Sequence, residues 1–468
     1  MILEPPAQAI DLSIASAIDP VEYRPMLERL QGNILKAHGR DHVYLLLLRF
    51  SAASPDIRSW VRSFTANWIT SASEQLAEAA AYRQGGSTGV FGSLLLTARG
   101  YEALGYSLDE VGVRFQEQDE RVKLKAGMAG AQAVLNDPDV SSWDEPYKYC
   151  LERPIHAMAL LAADSQTLLE WASARLERSL QGIGEVAGRE VGAVLRDDKG
   201  RSVEPFGFVD GISQPLFFKD DVEREKERGG NGPWDPSAPL ALALIADPFT
   251  QEQDCFGSFL VFRKLEQDVR GFRARLRTLA QRFTGDDEEL AGAFAVGRFR
   301  DGSPVIVHRS PADADHDFNN FIYFQDFGGA RCPFHAHTRK TNRRNPAERV
   351  HRIIRRGVPY DSRKVREGEA TEGVGLLFLC FQANIGNQFA FIQEQWANAP
   401  NFPVGAAGVD PLIGRGSSPQ SWQTAWDVPP DGPTGSLSFG QFVTLKGGEF
   451  FFAPSIPFLR GAMTAAGT

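Results

Sequence analysis

The chain of 468 residues predicts a mixed α and β protein with antiparallel sheets and helices packed on one face, built twice over. Three observations carry this expectation. Apolar runs of β-type composition alternate with segments of helical period. The same strand-then-helix opening occurs at His42 and again at Gly257, which suggests duplication. The strands also outnumber what a doubly wound parallel sheet requires.

Taken in order, HVYLLLLRF (His42 to Phe50) reads as a buried strand, and SPDIRSWVRSFTANW behind it as an amphipathic helix carrying Ile57, Val61 and Phe64. HAMALLAAD (His156 to Asp164) is a further strand, followed by the helix SQTLLEWASARLERSL, which its serine can cap. GSFLVFRKL (Gly257 to Leu265) reopens the pattern, with Val269, Phe272, Leu276 and Leu279 on one face of the next helix. GVGLLFLCFQA is a near-continuous strand and NQFAFIQEQWAN a helix. FVTLKGGEFFFAPS is expected to be a hairpin turning at Gly447-Gly448. Gly405 to Ser436, rich in Gly, Pro and Ser, predicts an ordered irregular loop. The charged, glycine-rich stretch Asp220 to Pro239 lacks periodicity and sets a boundary between halves at 1–225 and 239–468.

Fifty basic residues against 59 acidic give a net charge of −9, so no global field favours nucleic acid or an anionic membrane. No run is long and apolar enough to span a bilayer. The N-terminus has neither a basic region ahead of an apolar run nor a twin arginine, and does not read as an export signal. Cys150, Cys255, Cys332 and Cys380 lie far apart with no CxxC, as free thiols in a reducing compartment would. The expectation is a cytoplasmic protein.

RCPFHAHTRKTN (Arg331 to Asn342) concentrates two histidines two positions apart. A zinc reading takes Cys332, His335, His337 and perhaps His351 as ligands, although the spacing matches no closed-site pattern. A second reading gives one histidine to a haem iron, with the opposite face open. Two further stretches bear on the choice. In EPFGFVDGISQP, Asp210 occupies an Asp-Gly turn whose flanks, Phe206, Phe208 and Ile212, are too apolar for a solvated loop. In HRIIRRGVPY, adjacent arginines on a strand face opposite ways, so one of Arg355 and Arg356 enters the interior.

Together QGNIL (Gln31 to Leu35), GFVDG, AHTRKTN, RIIRRGVPY, GLLFLCFQANIGNQFAFIQ and GGEFFFAPS resemble the dye-decolourising peroxidase family, from about residue 29 to the last strand. The length and the WANAPNFP to GVDPLIG segment resemble its larger bacterial and fungal branches. GxxDG alone is a weak signal; followed by His-x-Arg and RRGxPY in that order it is strong. The resemblance implies a duplicated ferredoxin-like α+β fold with antiparallel β-sheets and peripheral helices. It also implies a non-covalent haem b, in keeping with the absence of CxxCH, between sheet and helices of the C-terminal half.

Carried onto this chain, the resemblance makes His337 the proximal iron ligand, so that His335 is a core or near-haem residue. It makes Asp210 and Arg355 the distal catalytic pair and Leu376 and Phe378 the apolar distal wall. It lets Arg339 meet a propionate, and it offers Asp410, in GVDPLIG, as the carboxylate behind the proximal histidine. The implied reaction is oxidation of bulky organic electron donors by hydrogen peroxide through a ferryl intermediate, in a monomer or homodimer. Departures are the extra basic residues of HTRKTNRRNP, Asp361 after Tyr360, and Gly386 within QANIGNQF; none removes a reacting group. A haem carrier, a zinc hydrolase and a haem-free binding module remain alternatives, and the intact Asp210 and Arg355 weigh against simple carriage.

Overall fold

Each half of the chain folds as strand, helix, strand, strand, helix, strand. In the first half, β1 is His42–Phe50, β2 Phe91–Leu96, β3 Ala157–Ala163 and β4 Gly184–Ala193; in the second, β5 is Phe256–Gln267, β6 Val358–Tyr360, β7 Gly375–Gln382 and β8 Val443–Ala453. The computed structural model describes residues 10–14, 16–109, 118–229, 232–250, 252–312, 319–360, 372–416, 418–427 and 434–461. Asp361 lies outside them, as do residues 1–9.

The order across the first sheet is β4-β1-β3-β2 and across the second β8-β5-β7-β6, the same permutation, antiparallel throughout. This is the duplicated ferredoxin-like arrangement. The two sheets join edge to edge at both ends, Phe452 opposite Leu96 and Tyr360 opposite Gly192, so the strands close into a barrel without free edges at these seams. Gln31 fastens one seam: its side-chain amide donates to the carbonyls of Leu94 and Pro454 and accepts the Leu94 N–H. Arg356 donates to the carbonyls of Asn33 and Ile34. Thus QGNIL is a clasp between the halves.

In the first half, helix Ser54–Trp68 buries Ile57, Trp60, Val61 and Phe64, and helix Gln166–Ser179, capped by Ser165, buries Leu169, Ala172 and Leu176. Leu45 to Leu48 of β1 are wholly buried, each such side chain stabilising the fold by about 1.5–3 kcal/mol. The second half begins alike, with Val269, Phe272, Leu276 and Leu279 buried on helix Val269–Leu279. Its other helix differs: Gly386–Ala390 and Ile392–Ala397 are wound as wide π-helical turns.

Three expectations need correction. Val443–Ala453 is one continuous strand, with a register irregularity between Leu445 and Gly447 instead of a hairpin. Gly447 has φ +153°, and a Cβ there would strike the ring of Tyr147, which fills the bulge. Within Asp220 to Pro239 the chain forms helix Lys219–Glu227, with Asp220 and Asp221 in its first turn and Arg224 and Lys226 in its last, the sense favoured by the helix dipole. The 405–436 region contains a two-stranded ribbon, Gln420–Gln423 with Thr434–Leu437. All four cysteines are free and buried. No helix among the described residues is long and apolar enough to cross a membrane.

Candidate active site

In the second half the π-wound helix stands off from the sheet, and a cavity of about 270 Å³ opens between them. Leu376 and Phe378 share the cavity face of β7 because strand side chains alternate, and they sit in register with Leu265 and Arg263 of β5. The remaining wall comes from the long excursion between helix Val269–Leu279 and β6, which brings in His337, and from the Asp210 loop of the first half.

His337 opens the short helix His337–Thr341 and faces the cavity. Its Nδ1 lies 2.9 Å from Oδ2 of Asp410. Asp410 is buried, and its Oδ1 accepts the N–H groups of Leu412 and Ile413 at 2.8 and 2.9 Å. Burial acts to raise its pKa, but the His337 ring and these N–H groups outweigh burial and hold the carboxyl below its ordinary value. A carboxylate there accepts, so Nδ1 donates and Nε2 is the nitrogen offered to the cavity. The Asp410 loop is itself tied to this helix. The buried ammonium of Lys340 donates to the carbonyls of Ala399, Phe402 and Gly408 at 2.8, 2.6 and 2.5 Å.

Asp210 and Arg355 line the same cavity and pair with each other, Nη1 to Oδ1 at 3.0 Å. Arg355 Nη2 donates to the Ile212 carbonyl at 2.7 Å, and the Arg355 N–H donates to Gln214. About a third of each side chain remains exposed, so both retain capacity to meet a ligand. Gly211, at φ +81°, makes the turn beside Asp210. The adjacent arginines diverge as strand geometry requires, Arg355 into the cavity and Arg356 into the clasp.

The cavity carries a basic margin that sequence reasoning missed. Arg344 donates to the carbonyls of Asn319 and Phe321 and to Ser213 Oγ; Arg352 donates to the carbonyls of Arg349, Pro236 and Ser237. Burial among such neutral oxygens pulls both guanidinium groups down to about 9, and that of Arg298 beside them to about 10. Cations held this way fit a ligand that brings carboxylates. A nitrogen donor, apolar walls and a margin of buried cations together fit a haem. The extra arginines of HTRKTNRRNP were the available signal for Arg344, whose φ of +57° breaks the chain away from the short helix.

Arg339 does not take the place expected of it. Its guanidinium is buried against the carboxylate and carbonyl of Asp326 and the Cys332 carbonyl, and it is absent from the cavity wall. His335 is buried edge-on to Trp422, with ring centroids 4.3 Å apart; burial pulls its pKa to about 3, so it is a neutral core residue. His351 stacks on Phe391. Among the described residues no three His, Cys, Asp or Glu side chains gather as metal ligands, so the zinc set does not assemble.

A family model described as Dyp-type peroxidase, C-terminal, matches residues 250–401. The multifunctional dye peroxidase DyP2 of Amycolatopsis sp. is 37% identical over 463 residues, 94% of this chain and 96% of that protein. A dye-decolorizing peroxidase of Exidia glandulosa is 33% identical over 349 residues, 66% of each chain. Among solved structures, the DyP-type peroxidase of Anabaena sp. superposes with a TM-score of 0.88 at 42% identity, covering 95% of this chain and 97% of that one.

Proposed function

This chain belongs to the dye-decolourising peroxidase family, haem enzymes that oxidise dyes and phenolics with hydrogen peroxide, and we propose that it does so with His337, Asp210 and Arg355 in the named roles. The carrying observation is that His337, backed by the buried Asp410, and the Asp210–Arg355 pair line one largely apolar cavity.

Haem b, held non-covalently, would supply the redox chemistry toward hydrogen peroxide. His337 offers Nε2 to it, and Asp410, by accepting the Nδ1 proton, makes the imidazole a stronger electron donor. Arg344, Arg352 and Arg298, which line the cavity, would hold the cofactor's carboxylates, the role first expected of Arg339. Asp210 removes a proton from one peroxide oxygen and returns it to the oxygen that leaves. Arg355 stabilises the charge that develops on the leaving oxygen, a donor of the kind typically worth about 3 kcal/mol. Leu376 and Phe378 keep bulky donors from the reacting atoms, so such donors deliver electrons from outside. We assign the two ferredoxin-like halves to 1–225 and 239–468, and place the protein, with its free thiols, in the cytoplasm.

The test is the absorption spectrum of the protein purified with haem supplied, for wild type and His337→Ala, before and after one equivalent of peroxide. A ferric band that converts on adding peroxide, and that is lost or altered in the variant, supports the assignment. A colourless wild type sinks it.

A further inference from the structure

Reduction of one peroxide to two waters consumes two electrons and two protons. Donors kept out by Leu376 and Phe378 release their protons outside, so protons must reach the cavity separately. Asp210 returns only the proton it took from peroxide. A second proton-holding group inside the cavity would supply these protons, and Glu204 is a carboxyl that the mechanism leaves unused.

Glu204 lines the cavity at the start of the turn that ends in Asp210. Its Oε2 accepts the Phe206 N–H at 2.9 Å and its Oε1 the Phe208 N–H at 3.0 Å. Its own N–H donates to the Phe208 carbonyl, and its carbonyl accepts the Gly207 N–H. Gly207 has φ +97°. The segment from Glu204 to Asp210 is thus wrapped around this side chain. From β5, Gln267 donates Nε2 to Glu204 Oε2 at 2.8 Å, while Gln267 Oε1 is buried without a partner. Rotation of that amide presents Oε1 to Glu204, where it accepts the hydroxyl of the protonated acid. One glutamine therefore serves both protonation states.

We propose, on the peroxidase reading above, that Glu204 is a positioning and proton-relay residue of the distal pocket. Its carboxyl folds the turn that aims Asp210 and passes a proton to Asp210 through cavity water between turnovers. The acid O–H breaks, the Asp210 carboxylate gains the proton, and bulk water later restores it to Glu204. Burial, with a smaller contribution from Asp210, pushes the Glu204 pKa up to about 7 against the N–H groups of Phe206, Gln267 and Phe208, so near neutrality it both gives and takes a proton. The charged groups around it are Asp210 on its own turn and Arg300 beyond Phe208, while β5 presents the neutral Gln267, its Arg263 being ion-paired with Asp137.

Holoenzyme is mixed with one equivalent of peroxide and then with a one-electron donor across a pH series, each phase followed by the haem spectrum, for wild type, Glu204→Gln and Gln267→Leu. In parallel, infrared difference spectra of the haem-free protein follow the carbonyl stretch of protonated carboxyls, each protein carrying Glu449→Gln because Glu449 also protonates near pH 7. Glu204→Gln is expected to slow the peroxide phase about 10- to 100-fold, to erase an inflection near pH 7 from the donor phase, and to remove the carboxyl band that titrates there. Gln267→Leu keeps the acid but removes a bond that is stronger to the ionised form than to the neutral acid, so band and inflection move to higher pH. Wild-type rates and inflection in Glu204→Gln, or a band that survives in it, overturn the proposal. If Glu204→Gln does not fold, an unshifted Gln267→Leu overturns it alone. Failure of the peroxidase reading is distinct, because wild type itself would then not react with peroxide.

Discussion

The two halves repeat one strand order but fill the space between sheet and helices differently. In the first, Ile57, Trp60, Val61, Phe64, Leu169 and Leu176 are buried on two α-helices beside a wholly buried β1. In the second, the equivalent of helix Gln166–Ser179 is π-wound, and a long excursion between its first helix and β6 inserts His337. Space that is packed core in one copy is cavity in the other. Fold and chemistry separate cleanly here: the shared topology gives stability, and the copy that gave up close packing gained a site.

The sharpest division between the halves is cofactor retention. His337→Ala is expected to abolish normal iron ligation, read as loss or displacement of the haem band. Next in size is the chemistry. Asp210→Asn or Arg355→Leu should slow the peroxide reaction by about 10²- to 10⁴-fold while haem stays bound, read by stopped flow. A packing change in the first half should behave oppositely. Leu46→Ala removes a wholly buried β1 side chain and should cost about 2–5 kcal/mol in denaturant unfolding, yet leave the spectrum and peroxide rate of the folded protein intact. A Leu46→Ala enzyme that folds well but reacts slowly would break the comparison.

The smallest effect concerns Glu449, where β8 meets the kinked helix Gln118–Leu135 of the first half. Its Oε1 accepts the N–H groups of both Met128 and Phe450, and burial pushes its pKa from 4.5 to about 7. The folded state therefore binds the proton more tightly. The associated stability is complete below pH 4.5 and is lost as pH rises through about 7, at most about 3 kcal/mol. Glu449→Gln keeps the accepting oxygen and should flatten the dependence of unfolding free energy on pH across that window.

Much of this comparison was legible in the residues. β1, β3, β5 and β7 are apolar runs, and the helices after β1, β3 and β5 follow with a 3.6 period. Asp210 stood out as a polar residue in an apolar setting, the family resemblance singled out His337 and Arg355, and the structure brings all three to one cavity. What failed to show was governed by distant contacts. The Gly447 bulge exists because Tyr147, far back in the chain, occupies the space a side chain would need. Arg339 and Arg344 are indistinguishable as letters; one meets Asp326 and the other Ser213, which only tertiary placement decides. Helix Lys219–Glu227 carries no buried residue, so it offered no apolar period to read.

The four buried thiols acquire a meaning from the oxidant. Peroxide attacks thiolates, and thiolate population follows pKa. Burial raises Cys150 to about 11 and Cys332 to about 12, and lifts Cys255 and Cys380 as well. At neutral pH roughly one molecule in ten thousand, or fewer, exposes a thiolate at Cys150 or Cys332. Cys332 stands only five positions before His337 (337 − 332 = 5), yet it is wholly buried and absent from the cavity wall, so an oxidisable sulfur near the site in sequence is shielded in space and kept protonated.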